Sequence, residues 1–176
     1  MELPITQDEI VSLIRANTEK VFTTMLGLTI EVGPATVKPA ANDHDGGVIS
    51  FVGFAGEWSG SGSIQCSASL ACTISSKLLM MEFDKVNEDV LDAIGEMANM
   101  IIGNFKDDAS YKLGPLGLST PTVIHGDRFQ ARNWNGQSWT TVQFNCDGEL
   151  FEVKVCLAPS QSVREAMRPV GAAMDR

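Results

Sequence analysis

Asp92, Glu96 and Asn99 stand at i, i+4 and i+7 within the stretch from Asn87 to Lys106. On a helix, at about 100° per residue, the three fall in one narrow stripe that Gly103 continues. Glu96 and Asn99 project side by side from a rigid rod, about 60° apart. A carboxylate can take a lysine ammonium, and a carboxamide can both donate to and accept from a single water. The pair suits docking on something cationic and steering a water, with no covalent step. On the opposite arc fall Val90, Leu91, Ile94, Met97, Ala98, Ile101 and Phe105, an ordinary core face. Gly103, with Gly95 on its flank, costs the helix about 1 kcal/mol relative to alanine, as does Gly95 itself. Those costs make sense if another surface approaches the backbone beside Glu96 and Asn99. A solvated face whose glycine caps the helix explains them equally well from the wheel alone.

Other chemistry finds little support. His44 and His125 are the only histidines. Neither has ligand spacing to a cysteine or carboxylate, so no metal or other cofactor held by this chain is expected. There is no Gly-x-Ser-x-Gly elbow and no Cys-His pairing for a nucleophile. Gly60-Ser61-Gly62 is superficially like a phosphate loop but lacks both the Rossmann glycine pattern and a Lys-Ser/Thr ending. Cys66, Cys72, Cys146 and Cys156 show no Cys-x-x-Cys spacing and read as reduced, buried thiols of a cytoplasmic protein. Trp58, Trp134 and Trp139 are expected on hairpin rims, Met80-Met81 and Met97-Met100 in the core, and Asp107-Asp108 in solvent.

Positioning the stripe requires a folded domain, and 176 residues are enough for one with a full core. A net charge of −9 speaks against a nucleic-acid or anionic-membrane partner, either of which calls for a basic patch. No apolar run approaches the roughly 20 residues of a membrane span. Met1-Glu2-Leu3-Pro4 has neither the basic start nor the apolar core of a signal peptide.

Thr6-Gln7-Asp8-Glu9 is a capping box, and Ile10, Leu13, Ile14, Val21 and Met25 recur behind it at helical spacing until Gly27. Leu28 to Lys38 reads as a strand and Ala40 to Gly47 as a polar loop. Val48–Phe54 and Ser59–Cys66 form a hairpin. Ser67 opens a second helix reaching about Met81, and Asn87 caps the central one. Leu113 to Gly117 is a broken loop, and Leu118 to His125 is a strand that Pro121 confines to an edge. Thr140–Cys146 and Leu150–Leu157 alternate cleanly about Asp147-Gly148, a two-residue hairpin signal. Strands with hairpin connections predict an α+β fold, an antiparallel sheet with the long helices on one face. Aligning Met25-Leu26-Gly27 with Ile101-Ile102-Gly103 suggests a faint internal repeat. Lys20 and Thr23 then stand where Glu96 and Asn99 stand.

The run from Asp92 through Gly95-Glu96-Met97-Ala98-Asn99 to Asn104 resembles the CheX/CheC/FliY family of chemotaxis phosphatases. That family's signature is an acidic residue or serine, three residues, Glu, two residues, Asn, then a proline one strand and loop later. Pro121 is the matching proline, one residue nearer to Asn99 than the family spacing. Phe22-Thr23-Thr24-Met25-Leu26-Gly27 and the single active helix are similar to the CheX branch. The similarity covers most of the chain, from the first helix to the last strand near Leu157, so residues 1–159 are expected to form one domain and 160–176 a tail, a short helix before Pro169 and then frayed.

The resemblance implies a cytoplasmic enzyme that hydrolyses the phosphoaspartate of a CheY-like response-regulator receiver domain. Glu96 would engage the receiver's active-site lysine and Asn99 would orient the attacking water. Asp92, Gly95 and Gly103 would form the docking surface around them. Mg²⁺ would belong to the receiver, and CheX relatives pair as homodimers through their sheets. Two other readings stay open from the sequence. One is a non-catalytic adaptor or flagellar-switch module that holds a receiver with the same helix; the other is a small-ligand domain with a pocket lined by its glycine-rich segments.

Overall fold

Among the described residues, each helix begins at a side chain placed just ahead of it. Thr6 accepts from the Glu9 N–H while the Glu9 carboxylate accepts from the Thr6 N–H, closing the capping box before α1 (Gln7–Val21). Ser67 caps α2 (Ala68–Leu79), and Asn87 caps α3 (Glu88–Leu113) by accepting from the Val90 N–H at 3.0 Å. α1 widens into a π-helical turn, Phe22–Leu26, and stops at Gly27, whose φ of 64° lies in the left-handed region. The structure, a computed structural model, describes residues 3–39, 41–44, 46–127, 129–132 and 138–160.

The strands are β1 (Glu31–Pro39), β2 (Ala41–His44), β3 (Gly47–Gly56), β4 (Trp58–Cys66), β5 (Leu116–Leu118), β6 (Thr122–Gly126), β7 (Phe129–Arg132), β8 (Ser138–Cys146) and β9 (Glu149–Pro159). The main sheet runs β1-β8-β9-β4-β3, antiparallel throughout, and β5 and β6 share the outer edge of β3. Asp147 and Gly148 both take positive φ in the β8–β9 turn, the backbone that a two-residue hairpin requires. Pro34 sits in β1, which pairs only with β8 among the described residues, so its missing N–H breaks no central ladder.

Register decides which side chains face the helices. Val48, Val52 and Phe54 of β3, Ile64 of β4, Val142 and Phe144 of β8, and Phe151, Val153 and Val155 of β9 are buried on that side. Phe22 stacks on Phe151 with centroids 4.8 Å apart, and Phe151 on Phe144 at 5.1 Å, joining the end of α1 to the sheet. The predicted α+β arrangement, long helices on one face of an antiparallel sheet, is the fold observed.

Several local expectations fail for tertiary reasons. Part of the Ala40–Gly47 loop is β2, paired residue for residue with β7, a partner some ninety positions away in the chain and invisible to local pattern. Trp58 is 4% exposed and belongs to the core rather than a rim. A single residue, Glu57, joins β3 to β4, and Gly114, just past the end of α3 at Leu113, lies beside it, its Cβ position 3.7 Å from Glu57 Oε2. Met80 and Met81 are exposed, since α2 ends at Leu79 and Met80 turns out in a left-handed conformation; Met97 is core as expected. Asp108 is not simply solvated. It accepts from the Asn17 amide of α1 at 2.9 Å. Trp134 and the tail beyond Ser160 lie outside the described residues.

Candidate functional site

α3 spans 26 residues, about 39 Å at 1.5 Å per residue, and its rotation about its own axis is fixed from several sides. Val90, Ile94, Met97, Ala98, Ile101 and Phe105 are buried, which turns Asp92 and Glu96 outward as exposed residues and leaves Asn99 half-buried. The wheel therefore reads correctly. Neither the Glu96 nor the Asn99 side chain has a hydrogen-bond or ion-pair partner among the described residues, so their side-chain polar atoms serve no internal contact. Two carboxylates one turn apart, Asp92 and Glu96, make the outer stripe attractive to a cation.

The sheet lets α3 lie close. Gly62 of β4 sits under Ile102, and a Cβ there would fall 2.4 Å from Ile102 Cδ1. At the outer edge, a Cβ on Gly95 would meet Val123 Cγ2 at 3.2 Å and Pro121 Cβ at 3.6 Å. The surface that needs the bare backbone at Gly95 is thus the chain's own edge strand. Gly103 is similar but looser, its Cβ position 3.6 Å from Leu118 Cδ1 of β5. It lies inside α3, ten residues before the helix ends and without positive φ, so it does not cap the helix. At Gly95 the close neighbour is thus the chain's own Pro121 and Val123, whereas Gly103 has only an ordinary contact with β5. The same contacts place Pro121 against α3 at the residue before Glu96.

The far half of α3 is tied to α1. Besides Asn17–Asp108, the Lys112 ammonium pairs with Glu9 at 2.6 Å. This hydrogen bond, with two more from the Thr6 N–H and hydroxyl, holds the Glu9 carboxyl down at about 2 and raises the Lys112 ammonium. Glu9 therefore does two jobs, the capping box and the helix–helix tie. Only the first was legible from local spacing.

Lys20 and Thr23, the first-helix counterparts in the repeat, are exposed. The repeat itself does not hold at its glycines: Gly27 ends a helix, whereas Gly103 is interior to one. None of the four cysteines is in a disulfide, and all four are buried. Burial pushes the Cys66 thiol up to about 12 and the Cys156 thiol up to about 11, and raises Cys72 and Cys146 too, so none is poised as a nucleophile. Among the described residues, no group of three His, Cys, Asp or Glu side chains is placed to hold a metal ion. No helix there is long and apolar enough to cross a membrane.

Sequence reasoning missed Ser119, whose hydroxyl accepts from the Gly53 N–H at 2.9 Å across the β5–β6 break. A serine two residues ahead of an edge-strand proline was the available signal.

The profile of the family described as chemotaxis phosphatase CheX matches residues 48–145, more than half of the chain and all of α3. Among solved structures, the chain is similar to the CheX chemotaxis protein of Desulfovibrio desulfuricans, with 28% identity and a TM-score of 0.76, covering 85% of this chain and 99% of that one. It is similar to CheX of Vibrio vulnificus at 25% identity and a TM-score of 0.75, with coverage of 85% and 99%. A CheX–CheY–BeF3–Mg²⁺ complex from Borrelia burgdorferi matches at 26% identity and a TM-score of 0.70, covering 84% of this chain and 97% of that one. No curated protein sequence matches significantly.

Proposed function

This chain belongs to the chemotaxis phosphatase CheX family, and from that premise we propose that it dephosphorylates the phosphoaspartate of a CheY-like receiver domain. The observation that carries the reading is an exposed Glu96 beside a half-buried Asn99, their side chains unpartnered among the described residues, on a helix that the core holds from behind. A rigid carboxylate and carboxamide at fixed spacing can enter a partner's active site and reach groups that are not their own.

In this reading Glu96 pairs with the lysine ammonium of the receiver, and the neighbouring Asp92 adds to the attraction. Asn99 then holds one water by a donated and an accepted hydrogen bond, in line with the phosphorus. Water forms the new O–P bond as the bond to the aspartate oxygen breaks, releasing phosphate and restoring the carboxylate. Mg²⁺ sits in the receiver and carries charge stabilisation there, while this chain supplies orientation. Pro121 and the glycine-seated backbone around Gly95 and Gly103 form the wall beside the stripe. A cytoplasmic location and a homodimer belong to the same reading, and light scattering of the purified chain tests the second.

Timed loss of label from a phosphorylated receiver, with and without the chain, is the direct experiment. A shortened phosphate lifetime is expected. Binding without any shortening would make the protein an adaptor.

A further inference from the structure

β3 pairs with the outer strand in two blocks. Phe54 faces Leu118 in one, and Phe51 faces Thr122 in the other. Between them β3 has Val52 and Gly53, whereas the outer strand has Ser119, Thr120 and Pro121, one residue more. This is a bulge, and Pro121 within it brings no N–H. Ser119 repairs the ladder. Its hydroxyl accepts from the Gly53 N–H at 2.9 Å and donates to the Thr120 carbonyl at 2.9 Å, while its own N–H donates to the Gly53 carbonyl at 3.0 Å. Gly53 leaves room for this, since a Cβ there would lie 3.3 Å from Ser119 Oγ.

From this geometry we infer that Ser119 is a positioning residue for the α3 site, locking the bulge that seats the Gly95–Asn99 turn. Pro121 and Val123, just past the lock, are the side chains against which Gly95 rests. The next residue along α3 is Glu96. A bulge free to slide would change the stand-off of α3 from its edge wall and the direction in which Glu96 and Asn99 project. Because Ser119 is exposed, water can replace its hydrogen bonds when the hydroxyl is lost, so the fold survives. Water cannot keep the bulge in one register. The inference rests on the phosphatase reading.

Single-turnover dephosphorylation of a CheY-like receiver is measured for wild type, S119A, S119V and S119T, together with binding to the beryllofluoride-loaded receiver and amide NMR spectra. Thr and Val differ by hydroxyl against methyl, so that pair decides the matter if S119A does not fold. S119A and S119V are expected to slow the rate at saturating enzyme about tenfold, the scale of a positioning loss. Affinity should change less, the Gly53 amide should exchange faster, and the Gly95 and Glu96 resonances should move. S119T should restore all of these. Wild-type rates in S119A and S119V overturn the inference alone, as does a slowed rate with the α3 resonances unmoved. A wild-type chain that leaves the receiver's phosphate lifetime unchanged overturns the phosphatase reading, and this inference with it.

Discussion

Adding one methyl group at Gly103 of α3 and at Gly62 of β4 should move stability in opposite directions, because the first meets an ordinary contact inside a helix and the second a packed side chain. Gly103 lies in the interior of α3, where alanine is favoured over glycine by about 1 kcal/mol. Its Cβ position is 3.6 Å from Leu118 Cδ1, an ordinary contact that brings a little dispersion energy and no clash. Gly103→Ala should therefore stabilise the protein by about 0.5–1 kcal/mol, part of it through the unfolded chain. For a chain of this size that is a rise of roughly 1–4 °C in Tm. At Gly62 the new Cβ would lie 2.4, 2.7 and 2.8 Å from Cδ1, Cγ1 and Cγ2 of Ile102. Isoleucine is stiff at χ1, so it cannot swing its Cγ2 away, and α3 must lift from the sheet. Gly62→Ala should cost about 1–3 kcal/mol. Urea denaturation of both variants gives the test, with the midpoint shifting and the slope unchanged. A lowered midpoint for Gly103→Ala would refute the placement of Leu118 against it. Stability gained by Gly62→Ala would mean that Ile102 does not sit on that glycine. Gly103→Ala should also leave receiver dephosphorylation within about twofold, since its methyl points to β5 rather than along the Glu96–Asn99 stripe.

Three further outcomes follow from the site. Asn99→Ala should bind a beryllofluoride-loaded receiver nearly as well as wild type yet barely hydrolyse the phosphorylated one, whereas Glu96→Ala should lose affinity too, as titration and single-turnover rates on the same proteins will reveal. Wild-type binding should weaken with added salt, because an ion pair helps to form the complex. Lys20→Ala and Thr23→Ala should leave turnover within a few-fold; a loss like that of Asn99→Ala would put the chemistry on α1 instead. The Glu9 tie should be visible in acid. Its carboxyl is held at about 2, against 4.5 when free, chiefly by Lys112. Its contribution is therefore full above 4.5 and disappears as the pH falls from there through about 2. Glu9→Gln should flatten the fall of Tm across that window relative to wild type, and salt should shrink the difference because the pair is part-exposed.

What the sequence determines by itself is whatever a few neighbouring residues decide together. The capping box at Thr6–Glu9, the Ser67 and Asn87 caps, the stop at Gly27 and the Asp147-Gly148 turn each satisfy backbone groups within one turn of the chain. The 3.6-residue period of Val90 to Phe105 likewise turns Asp92, Glu96 and Asn99 outward before any partner element is known. Tertiary structure decided what depends on which strand lands beside which. No local pattern says that β2 pairs with β7, or that β5 and β6 share the edge of β3 with a residue to spare. Gly95 carried a true signal of close approach, but a missing side chain does not say from where the neighbour comes. Glu9 is the same case in charge: its spacing to Thr6 announces a cap, and only the packing of α1 on α3 brings Lys112 to it. Local hydrogen bonds and periodicity are written in sequence order, whereas close approach and bulge register arise from the meeting of distant segments.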